Sequence, residues 1–192
     1  MALAQFDELN MLEDRITEFS ESVGTATEAE SRTLSASAVE DELEDLLIMA
    51  YTMGVDYAND VLGTDVKADT QELQDTIYRK IDGKDFKDRV REHMADGQYG
   101  LVGNTARTDA QMAYNQAVLN TAQASGKSGI RKKWFTMGDN KVREQHWALQ
   151  GVVLPLDGEF YIGDDHALAP CGFSNPENSC NCRCYLQLIR NG

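Results

Sequence analysis

The chain has 192 residues, 42% of them apolar and 26% charged, with a formal net charge of −14. That length buries a substantial core in one or two domains, and with no run of eighteen apolar residues and no basic-then-apolar leader the expectation is a soluble protein made in the cytoplasm, with no helical membrane span. Residues 1–60 hold 15 acidic and 2 basic side chains, against 10 and 9 in 61–130 and 7 and 7 in 131–192, so the first segment repels nucleic acid and the rest, lacking a basic stripe, admits at most a local DNA contact.

Residues 1–63 read as an acidic helical hairpin or adaptor. Leu9, Leu12, Ile16, Phe19 and Val23 recur at alternating spacings of three and four among Glu and Asp, a narrow apolar seam on an acidic rod. Residues 25–35 are rich in Ser, Thr and Glu without periodicity. Ser37-x-x-Glu40 then has the form of a capping box, in which the hydroxyl takes a free amide and the carboxylate reaches back. The helix it opens carries Val39, Leu43, Leu46, Ala50, Tyr57 and Val61 and ends at Gly63. Two lone helices bury little area, so the seam either closes on the second helix or binds a protein partner.

Residues 64–192 read as an α+β domain, mainly helical at first and ending in a small antiparallel sheet with a long loop. Asp69-x-x-Glu72 caps a helix through Leu73, Ile77 and Ile81 that stops at Gly83. Phe86, Val90 and Met94 make the face of the next, stopped by Gly97. A longer, Ala-rich helix is expected from about residue 105 to 125, with Arg107 and Asp109 in its first turn, where an acid favours the positive helix end.

Beyond residue 126 the period changes. Arg131-Lys132-Lys133 precedes the strand-like Trp134-Phe135-Thr136-Met137. Asp139, Arg143 and His146, spaced i, i+4 and i+7, would share one face of a short helix capped by Asp139. Pro155-Leu156-Asp157-Gly158 lies between Val152-Val153-Leu154 and Glu159-Phe160-Tyr161-Ile162, a hairpin signature. Residues 182–189 alternate as a last strand returning to that of Trp134, and residues 163–181 form a long irregular loop that something must hold.

Cys171, Cys180, Cys182 and Cys184 form C-x8-C-x-C-x-C, which is neither of the common zinc-knuckle spacings. On a strand, Cys180, Cys182 and Cys184 would present sulfur on one face, and Cys171 with His146 could complete a tetrahedral zinc set. Zinc, a disulfide clipping the loop and buried free thiols all fit the spacing; cytoplasmic synthesis favours reduced sulfur, and a later oxidising environment would bridge it. Catalysis has less behind it. Cys182 or Cys184 could act as a nucleophile beside His146, with Asp139 orienting the imidazole, but the chain lacks a phosphate-binding Gly-rich loop, H-E-x-x-H and G-x-S-x-G. His93 and His166 read as solvated.

In chain order, Arg107-Thr108-Asp109, Trp134, Asp139-x2-Val142-Arg143-x2-His146, Gly158-Glu159-Phe160 and Asn181-Cys182-Arg183-Cys184 form a series spanning residues 70–188. It resembles the phage minor head morphogenesis family, often called phage Mu protein F-like. Asp109 stands where that family usually has Glu, and residues 1–65 match nothing in it. The resemblance implies a non-enzymatic minor head protein of a tailed phage or prophage, made in the host cytoplasm and carried in the virion near the portal. Such a protein would assist head assembly and accompany or guide the genome on delivery. Portal and other head proteins would be its partners, with a local DNA contact and no membrane. The resemblance also implies that Arg107 is buried or paired in the core. It matches Asp139, His146, Cys182 and Cys184 to family positions and leaves Cys171 and Cys180 as additions, which a disulfide between the two would employ to tie the loop down. The alternative is a small metal- or thiol-dependent hydrolase of toxin type.

Overall fold

The computed structural model describes residues 2–24 and 35–190. Apart from Ser35, the Ser/Thr/Glu-rich stretch lies outside the described residues. Five helices come first: α1 (Ala2–Gly24), α2 (Ala36–Leu62), α3 (Thr70–Ile77), α4 (Phe86–Ala95) and α5 (Tyr99–Ala124). Then follow β1 (Ile130–Phe135), the single-turn α6 (Glu144–Trp147), β2 (Val153–Pro155), β3 (Phe160–Ile162), β4 (Asp165–Ala167), the single-turn α7 (Pro176–Ser179) and β5 (Tyr185–Arg190). The class is the expected α+β.

Helix α5 is the axis of the molecule. Its Ala106, Ala110, Ala113, Ala117 and Ala122 are buried along with Val102, Tyr114, Val118 and Leu119, because neighbours cover it on several sides. Small residues set the approach distances. A Cβ on Gly54 of α2 would lie 2.4 Å from the Tyr114 carbonyl oxygen, and one on Gly103 would lie 2.9 Å from Ser20 of α1. The helix starts at Tyr99, six residues before the expected start, and Gln98 ahead of it supplies no side-chain cap. Arg107 and Asp109 therefore sit in its third turn, not its first, and a terminal dipole explains neither.

The N-terminal helices are part of this packing. Leu9, Leu12, Ile16, Phe19 and Val23 are all buried, and α1 lies chiefly on α5 with α2 as its second neighbour. The seam read as a partner-binding surface is thus satisfied inside the chain. Residue 63 marks a helix end, the left-handed Gly63, while one apolar core runs through both halves. The cap of α2 is Ser35, whose hydroxyl accepts the Ala38 amide at 3.1 Å; Glu40 is buried instead in a two-pronged pair with Arg91 of α4, both contacts at 2.7 Å. Asp69 caps α3 as expected, but that helix stops at Ile77. Ile81 lies beyond it, bridged to Lys84 across the turn Asp82-Gly83, both with positive φ.

The sheet has the order β2-β1-β5, antiparallel throughout, with Trp134 opposite Leu186. The last strand does return to Trp134, although it starts at Tyr185. The basic run lies within β1, where alternation turns Ile130, Lys132 and Trp134 inward. Lys132 is fully buried, and its ammonium donates to the Leu156 carbonyl at 2.6 Å. The expected hairpin does not form, since β1 takes β2 as a neighbour and β3 pairs with β4 through the two-residue turn Gly163-Asp164. Gly163 takes φ +61° there, the left-handed first position of a type II′ turn.

Candidate metal centre

Asp165 organises the segment between β4 and β5. Its carboxylate accepts the Ser174 hydroxyl and the Asn178 amide, each at 2.8 Å, and the backbone amides of Ser174 and Asn175, each at 3.1 Å. Burial raises the Asp165 carboxyl, but these hydrogen bonds outweigh it and hold the group down to about 2. The loop is therefore fastened by a carboxylate, and none of the four cysteines is bridged. Helix α5 pins the same segment from beneath. Asn115 donates to the Cys184 carbonyl at 2.9 Å and accepts the Leu186 amide at 2.8 Å, while the Thr108 hydroxyl accepts the Asn181 amide at 3.0 Å. Arg143 donates to the Cys180 carbonyl, and Arg79 to that of Gly172 at 3.1 Å.

These anchors bring Cys182 and Cys184 against His146. The imidazole Nδ1 is 3.5 Å from the Cys182 sulfur and 3.4 Å from that of Cys184, and the three donor atoms lie within 4.8 Å of one another, all buried. Cys171 adjoins this trio, its sulfur outside the 4.8 Å set. Its buried thiol donates to the Cys182 carbonyl at 3.3 Å, placed by a backbone φ of +64° that side-chain-bearing residues seldom adopt. The Cys182 sulfur also accepts the Cys184 amide at 3.5 Å. Trp134 stands edge-on to His146, ring centroids 5.8 Å apart; Phe160 and Phe173 pack on the indole, and Phe173 also tilts onto the imidazole. The neighbouring Cys171 and Cys184 thiols, and then the imidazole, outweigh burial and draw the Cys182 thiol well below its ordinary range. Burial first, and then the Cys182 sulfur, push Cys171 up; for Cys184 the order of those two causes is reversed.

Cys180 is not part of this group. It is exposed, because it ends α7 and Asn181 after it is left-handed at φ +55°, so the strand that would have aligned three sulfurs is absent. Asp139, Arg143 and His146 do not share a helix face either. Only His146 is helical; Arg143 is the residue before α6, and Asp139 lies in the preceding turn, where both its oxygens accept from one guanidinium nitrogen of Arg183 at 2.6 and 2.8 Å. Asp109 pairs with Arg89 of α4 at 2.6 Å, and burial, opposed by that arginine, pushes its carboxyl up to about 6. Arg107 is partly buried, 3.9 Å from Glu13 of α1. Asn115 was not singled out from sequence, and Thr108 only as the middle of Arg107-Thr108-Asp109, although two polar residues seven apart in an Ala-rich helix share one face and are candidates for holding a neighbouring chain segment.

A cavity of only about 10 Å³ adjoins His146, Cys182 and Cys184. Ligand sites occupy a few hundred Å³, so the arrangement suits a closed structural centre better than one that admits substrate. No curated protein and no solved structure matches the chain. The family model described as phage Mu protein F like protein matches residues 70–187, from the first turn of α3 into β5, and so takes in the whole cysteine and histidine cluster. With more than half its residues matched, the chain belongs to the phage Mu protein F-like family of head morphogenesis proteins.

Proposed function

We propose that this protein is a minor structural component of the head of a tailed phage or prophage, bound to portal and assisting head assembly and genome delivery. The family match over residues 70–187 carries the reading. The structure is compatible with a non-enzymatic role, because the thiols and imidazole that could act as nucleophile and base are buried beside a cavity too small for a substrate. Among the described residues no helix is long and apolar enough to cross a membrane.

With the α1 seam buried, the surface left for an acidic adaptor is the outer side of α1 and α2. Asp14, Glu18 and Glu21 are exposed on the first, and Asp41, Glu42, Asp45, Asp56 and Asp60 on the second. Such a face suits a basic protein surface and repels DNA. The Arg131-Lys132-Lys133 run offers DNA little, since its middle ammonium is interior. Any DNA contact therefore falls outside α1 and α2 and weakens steeply with salt. Co-expression with the portal protein of the same phage or prophage tests the assignment. The expected result is a complex that co-elutes on size exclusion; separate elution from correctly assembled portal rings sinks the portal part of the reading.

A further inference from the structure

We propose that Cys171, Cys182, Cys184 and His146 bind one zinc ion in a closed structural site that staples the segment between β4 and β5 to α6. Zinc–sulfur and zinc–nitrogen bonds of about 2.3 and 2.0–2.1 Å at a tetrahedral angle set nitrogen and sulfur about 3.5 Å apart. The two distances from His146 Nδ1, 3.5 and 3.4 Å, match that separation. Hydrogen bonding alone accounts for the arrangement less well. Nδ1 has a single lone pair and can accept from one thiol, whereas two sulfurs stand at equal range. A single cation at their centre satisfies both sulfurs and the nitrogen together.

Three further features agree. The donor set, three thiols and one imidazole, is of the soft type that zinc takes in structural sites. Cys171 holds an unfavourable left-handed backbone that turns its thiol inward to the Cys182 carbonyl, 3.3 Å away and beside the trio, from where rotation of the side chain would supply the fourth ligand. The Cys184 amide points at the Cys182 sulfur, the kind of supporting hydrogen bond that steadies a metal-bound thiolate. All four side chains are buried and the adjoining cavity is minute, so the site has no open position and the role is stabilising. Entry of the ion releases the thiol protons to solvent, including the one Cys171 now shares with the Cys182 carbonyl. Cys180 stays outside the site. The proposal is independent of the head-protein reading, because it rests on side-chain geometry alone.

The test uses the full chain purified under reducing conditions without chelator. Metal analysis should return about one zinc per chain. Of the four thiols only that of Cys180 should then react rapidly with a thiol reagent, the other three becoming reactive when a strong chelator is added. Cys180→Ser should keep the zinc, and Cys171→Ser should lose it or bind it far more weakly. Cobalt substituted for zinc should show tetrahedral ligand-field bands, with a sulfur-to-metal charge-transfer intensity that falls by about a third in Cys171→Ser, in line with three sulfur ligands becoming two. If Cys182→Ser fails to fold, the parent chain and the Cys171→Ser and Cys180→Ser variants still decide. Metal-free protein with four reduced thiols and a melting temperature unmoved by added zinc overturns the proposal. So does a pair of thiols that appears only on reduction, or a cobalt spectrum unchanged by Cys171→Ser.

Discussion

Two buried or half-buried charges shape the local order, and both make stability rise with pH, one because its charge is favourable in the fold and the other because its charge is costly. Asp165 accepts four hydrogen bonds, so Asp165→Ala should destabilise the fold by about 1–3 kcal/mol at neutral pH. Its carboxyl is held at about 2, below the ordinary 3.8, so its contribution is complete above 3.8 and is lost as pH falls through 2. Chemical denaturation of parent and variant should therefore converge over that acid range; a constant gap would mean that the carboxylate is not the anchor. Lys132 acts in an alkaline window, and there the charge is a cost, not a contribution. Burial, opposed by Asp157 and Glu159, lowers its ammonium from 10.5 to about 8. The cost of burying the charge is thus fully present below pH 8 and is relieved as pH rises towards 10.5. Relative to Lys132→Met, the parent should gain stability across that window, and parallel pH profiles would contradict the buried assignment.

Packing between helices leads to predictions of larger effect. A methyl group on Gly54 has no room beside Tyr114 and Ala117, and Gly54→Ala should cost about 1–3 kcal/mol or more by forcing α2 off α5. Deleting α1 removes five fully buried apolar side chains, each contributing about 1.5–3 kcal/mol. The shortened chain should aggregate or lose its cooperative melt by circular dichroism, and a melt like that of the parent would show that α1 does not dock on α5. Which elements were legible in the sequence follows from how local their causes are. The caps at Asp69, Gly63 and Gly97 are decided within a turn or two and were readable. The start of α5 was not, because no capping side chain marks it. The seam of α1 was seen correctly as apolar, but its partner is decided by small residues some eighty positions away. Strand β1 was displaced because alternation hides a lysine among the inward positions, a choice that the Leu156 carbonyl makes tolerable. At the site, the nearness of Cys182, Cys184 and His146 was anticipated, whereas the exclusion of Cys180 depends on one left-handed residue, Asn181, which spacing does not announce.

For the whole molecule, the matched region and the N-terminal helices form one core, so a partner surface has to be sought on the exterior and tested without truncation. Replacing Asp41, Glu42 and Asp45 with Asn should leave the melting temperature within a few degrees of the parent, since all three are exposed, yet weaken binding to portal and reduce its salt dependence. Unchanged binding would move the contact to another face. The proposed role is that of a minor head component. Its most direct test is quantitative mass spectrometry of heads purified by sedimentation from a lysate that produces the phage. This chain is expected in the head fraction at a low, reproducible ratio to portal, while heads that carry portal and packaged DNA but none of this chain would contradict that role.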